Sequence, residues 1–184
     1  MGAGTDDSEK PWDKPTAFFV PFTSVANTAL IMKPTVQEKW RQGYAIGWDC
    51  IAYANGTVTV ANTYRVKDPE TGEIIHYWFP LCDASLEGII KYHDDIWTEI
   101  GIFGAFEYEN QKFVFGNGAM GNEGYVTSTK LNGDLNWSVF FTFSNPIHKA
   151  EVIDKHLICY GDTGTIIDID LANITQIQIS HRED

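Results

Sequence analysis

Two segments of the chain repeat one pattern of strand-forming residues at a fixed distance. Gly124–Leu131 and Gly164–Leu171 each begin with glycine and end with leucine, and they lie 40 residues apart. A turn follows each segment, and the next strand-like runs begin near Trp137 and Ile177, again 40 residues apart. Repeats of about 20 to 50 residues usually consist of one supersecondary unit that buries its apolar face against its neighbour. The repeat therefore predicts β-rich units that recur along the chain.

The repeat extends upstream with a slightly longer period. Ala105–Gly116 parallels Ala150–Gly161 at an offset of 45 residues. Trp48–Gly56 and the strand-like runs after it have the pattern of an earlier, diverged copy. Each unit is predicted to contain four antiparallel strands joined by short turns, over about 40 to 45 residues.

This period, with a tryptophan in the last strand of the unit, resembles the blades of β-propellers of the WD40 and quinoprotein-like kinds. Trp97 and Trp137, which carry this feature, are 40 residues apart, and the resemblance covers roughly residues 44–180. A propeller fragment, an open meander and a two-sheet sandwich would all produce the same pattern. We therefore predict an all-β, mainly antiparallel fold of repeated four-stranded meanders, either propeller-like or a sandwich.

The chain before the repeats has three predicted parts. Residues 1–16 are polar and contain two prolines, so we predict a flexible tail there and a single β-rich domain over residues 17–184. Turn-forming residues at 68–72 separate two strand-forming runs at 57–60 and 73–79. This arrangement predicts a long β-hairpin.

One short helix is predicted near residues 35–42. Thr35 and Glu38 follow Pro34 in the arrangement of a capping box, in which each side chain accepts a hydrogen bond from the backbone of the other. This is the best helical candidate in the sequence.

A second stretch, Leu86–Ile100, fits two structures. Its apolar residues roughly follow a helical stripe, but Gly88 lies within the stripe and His93 interrupts it. The alternative is a β-hairpin in which Ile89–Tyr92 pairs with Ile96–Ile100 around a turn at His93, Asp94 and Asp95. Because the neighbouring segments are predicted strands, we prefer the hairpin.

Composition limits the classes of function. The chain has 25 acidic and 13 basic residues, for a formal net charge of −12, whereas phosphate contacts require clustered lysine and arginine. No apolar run approaches the roughly 20 residues of a membrane span, and the first residues do not resemble a signal peptide. The three widely spaced cysteines suit a reducing compartment. We therefore expect a cytoplasmic protein that binds neither nucleic acid nor membrane.

Residues that could carry catalysis or bind a metal are scattered. The five histidines have no metal-ligand spacing, and the chain has no P-loop, EF-hand, zinc-protease or nucleophile-elbow motif. Asp168 and Asp170 alternate with apolar residues, so they share one face of a predicted strand. They could bind a cation or act in acid–base chemistry, but a solvated face is the simpler interpretation. We predict a non-enzymatic protein without a metal or cofactor.

The segment from Asp68 to Glu109 carries most of the negative charge. Its ten acidic residues and one lysine contribute about −9 of the net −12, and it also holds tyrosines and tryptophans. Aromatic side chains can anchor an interface, and carboxylates can steer a basic partner towards it. The alternative is that the acids maintain solubility while the aromatic rings fill the core.

Alternate turns of a meander lie on one edge, so the acidic turns of this region are expected to line up with the turn at residues 132–134. The predicted partner-binding residues are Glu70, Tyr92, Asp94, Asp95, Trp97, Glu99 and Asp134.

In type, a small, acidic, β-rich chain without catalytic motifs is similar to the immunity proteins of bacterial polymorphic toxin systems. The resemblance implies a protein that neutralises a basic cognate toxin in the cytoplasm by blocking its active surface. A carbohydrate-binding, lectin-like module is the alternative, because tryptophan and tyrosine rings in a β fold can stack on sugars.

Overall fold

The computed structural model describes Met1 and residues 34–72, 74–162 and 164–181. Residues 33–184 form one compact unit. Apart from Met1, the flexible tail predicted over residues 1–16 lies outside the described residues.

Strands dominate the described residues, of which about 60% are in strands and 9% in helices. The prediction of an all-β, mainly antiparallel fold is confirmed. The elements in chain order are α1 (Val36–Arg41), β1 (Tyr44–Ile46), β2 (Cys50–Tyr53), β3 (Thr57–Lys67), β4 (Ile74–Ser85), α2 (Leu86–Tyr92), β5 (Trp97–Tyr108), β6 (Gln111–Gly118), β7 (Gly124–Lys130), β8 (Leu135–Phe141), β9 (Ile147–Ile153), β10 (His156–Gly161), β11 (Thr165–Asp170) and β12 (Ile177–His181).

The strands form two antiparallel sheets. The larger sheet has the order β1-β5-β6-β7-β8-β2-β3-β4, and the smaller has the order β12-β11-β10-β9. The sequence repeat corresponds to two consecutive meanders, since the offset of 40 relates β7–β8 to β11–β12 and the offset of 45 relates β5–β6 to β9–β10. However, β8 also pairs with β2, so the first meander is part of a larger sheet and a propeller of separate blades is not confirmed.

The two sheets face each other across a shared apolar core. In β11, every second side chain is buried, which is the alternation expected for a strand with one face on a core. The buried residues of this core in the large sheet include Phe113, Phe115, Val126, Val139 and Phe141, and those in the small sheet are Leu157, Cys159, Ile167, Ile169, Ile177 and Ile179.

A second core covers the other face of the large sheet. Along β2, Ile51 belongs to the core between the sheets, whereas its neighbours Cys50 and Ala52 point the opposite way. There they pack with buried residues of the two helices, including Val36 of α1 and Leu86 of α2. The helices therefore close the face of the large sheet that the small sheet leaves open.

The predicted helix near residues 35–42 is confirmed as α1, with its capping box formed. The Thr35 side-chain oxygen accepts a hydrogen bond from the Glu38 backbone N–H at 3.1 Å, and a Glu38 carboxylate oxygen accepts one from the Thr35 N–H at 2.8 Å. These bonds lower the pKa of Glu38, chiefly through the backbone N–H of Thr35.

The hairpin predicted for Ile89–Tyr92 with Ile96–Ile100 is wrong in its first arm, because residues 86–92 form α2. Ser85 caps the helix by accepting a hydrogen bond from the Gly88 N–H at 3.1 Å, and Leu86 and Ile89 are buried. The reason is topological: β4 ends the large sheet on one side, whereas β5 pairs near its other side. The connection must cross a face of the sheet, and a helix can do so while burying one side.

The long hairpin predicted around residues 68–72 is confirmed as β3–β4. Its register runs from Thr57 opposite Ser85 to Lys67 opposite Ile74, so ten residue intervals, or roughly 33 Å, separate its two ends.

Candidate functional site

The predicted partner-binding residues at the start of β5 form one local surface. We call Tyr92, Asp94, Asp95, Trp97 and Glu99 the α2–β5 surface. Buried Ile96 holds the connection against the helical core, and the carboxylates on either side of it remain exposed. The Tyr92 side chain is 75% exposed at the end of α2. An exposed ring beside three carboxylates is an arrangement that suits docking on a basic protein.

The carboxylates of this surface are free to meet an external charge. Among the described residues, no salt bridge involves Asp94, Asp95 or Glu99. Two nearby lysines contact aromatic rings instead: the Nζ atom of Lys39 lies 5.6 Å from the centre of the Trp97 ring, and that of Lys91 lies 5.1 Å from that of Tyr92. The surface therefore presents three carboxylates without a bound counter-charge from this part of the chain.

Trp97 differs from the other members because it is half-buried. Its ring packs against the core formed with the helices, and Lys39 lies over it. The side chain thus supports the connection between α2 and β5, and Tyr92 is the better-placed candidate for an interface anchor.

We expect Trp97→Ala to lower the free energy of unfolding by about 2 kcal/mol, since it removes a partly buried aromatic ring. Tyr92→Ala should change it by less than about 0.5 kcal/mol because the Tyr92 ring is mostly in solvent. Urea titration of both variants measures the difference. Equal losses would contradict the separate roles assigned to the two rings.

Glu70 lies far from Asp134. It is exposed in the turn between β3 and β4, where Asp68 accepts hydrogen bonds from the backbone N–H groups of Thr71 and Glu70, which lower the pKa of Asp68. This turn is at the Lys67 end of the hairpin.

Asp134 lies near the other end of that hairpin and is already paired. Its carboxylate accepts hydrogen bonds from Arg41 at 2.6 Å and from the Asn132 amide at 2.9 Å, and these lower its pKa. The pairing ties α1 to the β7–β8 turn. The expectation that the acidic turns share one edge is therefore wrong, although a role of Glu70 or Asp134 in binding remains a prediction.

Asp168 and Asp170 share one face of β11, as predicted, but each has a partner. Asp168 lies 2.7 Å from His156 Nδ1, and this contact raises the pKa of the imidazole. Asp170 accepts a hydrogen bond from the Ala172 N–H at 2.8 Å in the following turn. Within the residues that the structure describes, no three histidine, cysteine or carboxylate side chains are grouped so that they could hold a metal ion.

The structure also contains a groove that the sequence analysis missed. It has a volume of about 610 Å³ and lies between the β3–β4 hairpin and β12. Ile74, Ile75 and Ile179 form its apolar walls, and Ile74 is 55% exposed although it lies in a strand.

The polar groups of the groove come from three strands. Arg65 and His76 are cross-strand neighbours in the hairpin, and His181 approaches from β12 with its ring centre 4.7 Å from that of His76. The His76 ring also stacks on Phe143 at 5.3 Å. Burial lowers the pKa of His76, with smaller contributions from the positive charges of His181 and Arg65. The alternation of β3 and β4 could have paired Arg65 with His76, but no local signal brings His181 to them.

Arg65 also borders a second depression, of about 460 Å³, which is lined by hydrogen-bonding side chains. There Asp49 accepts hydrogen bonds from the backbone N–H of Thr142 at 2.8 Å and from the hydroxyls of Thr63 and Thr142 at 3.0 Å. These bonds join the start of β2 to β3 and to the end of β8.

Comparisons with known proteins do not assign the chain to a family. No family model matches it, and no match to a curated protein is significant. Among the described helices, none has the length and apolar character needed to cross a membrane. The functional argument therefore rests on the surfaces and cavities themselves.

Proposed function

We propose that this chain is a non-enzymatic inhibitory binding protein of the immunity type. In this proposal it acts in the cytoplasm during bacterial competition, where it neutralises a basic toxin by covering the toxin's active surface. The observation that carries the proposal is the α2–β5 surface, with three exposed carboxylates that no described basic residue pairs with and one largely exposed tyrosine beside them.

Electrostatics gives this surface two separate tasks. Exposed carboxylates act over distance, so they mainly increase the rate at which a basic partner associates. The Tyr92 ring acts only in contact, where burial at the centre of an interface is typically worth 2 kcal/mol or more. A net charge of −12 strengthens the first effect for any basic partner.

The lectin-like alternative has less support. Sugar stacking needs exposed rings, and the tryptophans of the described residues are all buried or half-buried, namely Trp40, Trp48, Trp78, Trp97 and Trp137. The polar depression around Asp49 could donate and accept hydrogen bonds, but its carboxylate is already engaged by two threonines.

The test is capture of the partner from the native host with the wild-type protein, followed by inhibition assays with variants. We expect the captured protein to be basic and its toxic activity to be inhibited at an equimolar ratio. The triple variant Asp94→Lys, Asp95→Lys and Glu99→Lys should reduce the association rate by roughly tenfold to a hundredfold at low salt, and much less at high salt.

Glu109→Lys provides the matched control for a single reversal, Glu99→Lys. Glu109 lies in the same acidic segment but in the turn after β5, ten residues from Glu99, or roughly 33 Å along the strand. Since that distance far exceeds the screening length of about 8 Å at physiological ionic strength, the control should leave association nearly unchanged there. An acidic partner, or equal effects of the two reversals, would refute the proposal.

A further inference from the structure

The groove between the β3–β4 hairpin and β12 combines aliphatic walls with one permanent positive charge. Ile74, Ile75 and Ile179 form a continuous apolar lining, and no aromatic ring other than the imidazoles belongs to it. The groove's volume of about 610 Å³ lies within the range of small-molecule sites, roughly 300 to 1,000 Å³. Its shape and lining thus suit a small ligand with an aliphatic body.

The charge of the groove is opposite to that of the chain. No acidic residue lines it in the described part of the chain, although the protein has 25 acidic residues in total. Among the described residues, Arg65 forms no salt bridge, so its guanidinium can accept a carboxylate in a bidentate arrangement. His76 and His181 lie beside it and add hydrogen-bonding nitrogens.

The His76 ring is held in place independently of any ligand. It stacks on Phe143 at 5.3 Å, and its Nδ1 atom is buried without a hydrogen-bond partner among the described residues. An imidazole fixed in this way next to an unpaired guanidinium forms a preorganised polar end of the groove.

We propose that this groove binds a small aliphatic carboxylate, with the carboxylate at Arg65 and the hydrocarbon chain against Ile74, Ile75 and Ile179. The exposed Ile74 side chain loses contact with water when the hydrocarbon chain covers it, which favours binding. This site is separate from the α2–β5 surface and does not depend on the function proposed for that surface.

The experiment is a titration of the full-length protein with octanoate, followed by NMR of the histidine imidazole C–H groups. We expect saturable shifts at His76 and His181. The histidines outside the groove are internal controls and should not move: His93 contacts Trp48, His148 pairs with Asp162, and His156 pairs with Asp168.

Two comparisons separate charge from apolar contact. Octan-1-ol has the same chain length without the negative charge and should bind about tenfold more weakly or worse, and Arg65→Gln should weaken octanoate binding by a similar factor. Lys130→Gln removes a positive charge on β7, outside the groove lining, and should change the affinity by less than about twofold.

Three results would overturn the proposal: no saturable shift with octanoate, equal shifts at all five histidines, or equal binding of octanoate and octan-1-ol. All three are measured on the wild-type protein, so they decide the question even if Arg65→Gln does not fold.

Discussion

Replacement of Gly116 by alanine is expected to lower the free energy of unfolding by about 3 kcal/mol or more. Gly116 is buried in β6 opposite Ile102, at a bulge of β5. An added Cβ would overlap the carbonyl oxygen of Gly101 and lie 3.1 Å from the backbone nitrogen of Phe103. Since both neighbours are backbone atoms, the strands would have to separate to accept even one methyl group.

Gly121→Ala is the matched control for this prediction. Gly121 has a φ of +79°, but no atom lies within 4 Å of the position that a Cβ would occupy. Alanine there should cost only the strain of the left-handed conformation, about 1 kcal/mol. Urea titration followed by tryptophan fluorescence compares the two variants. If Gly116→Ala cost no more than Gly121→Ala, the close approach of β5 and β6 would not be a constraint on the fold.

The parts of the fold that the sequence predicted correctly depend on local chemistry. The Thr35–Glu38 capping box and the turn at 68–72 use residues within a few positions of one another, so their hydrogen bonds could be inferred directly from spacing. The repeat was also correctly located, since each meander joins strands that are adjacent in sequence. How the meanders join into sheets depends on the pairing of β2 with β8, which no local pattern encodes.

The α2 region shows where local reasoning failed. Residues 86–92 carry both helical spacing and strand-forming side chains, so the choice depended on the destination of the chain. The structure decides it through Ser85, which caps the helix, and through burial of Leu86 and Ile89 against the second core. That core also contains Val36 and Leu135, which are distant in sequence.

The candidate sites divide in the same way. The α2–β5 surface was predictable because Tyr92, Asp94, Asp95 and Glu99 are close in sequence and share an exposed connection. The pairing of Asp134 with Arg41 was not predictable, because it joins residues 93 positions apart. The same applies to the groove, whose residues come from β3, β4 and β12 and meet only when the two sheets pack.

Phe141→Ala is expected to lower the free energy of unfolding by about 3 to 5 kcal/mol, because Phe141 is fully buried in the core between the sheets. Its ring makes edge contacts with Trp78 at 5.3 Å and with Phe143 at 6.2 Å. Phe143 in turn stacks on His76, so the cavity left by the ring would also loosen the polar end of the groove.

Two comparisons make this last prediction specific. Phe79→Ala removes the same ring from a site that is 57% exposed on β4 and should cost less than about 1 kcal/mol. Phe141→Leu keeps most of the buried volume and should cost roughly 1.5 kcal/mol. Urea titration gives the stabilities, and the imidazole signals of His76 report on the groove in each folded variant. If Phe141→Ala were no more destabilising than Phe79→Ala, the two sheets could not share the core that positions His76 beside Arg65.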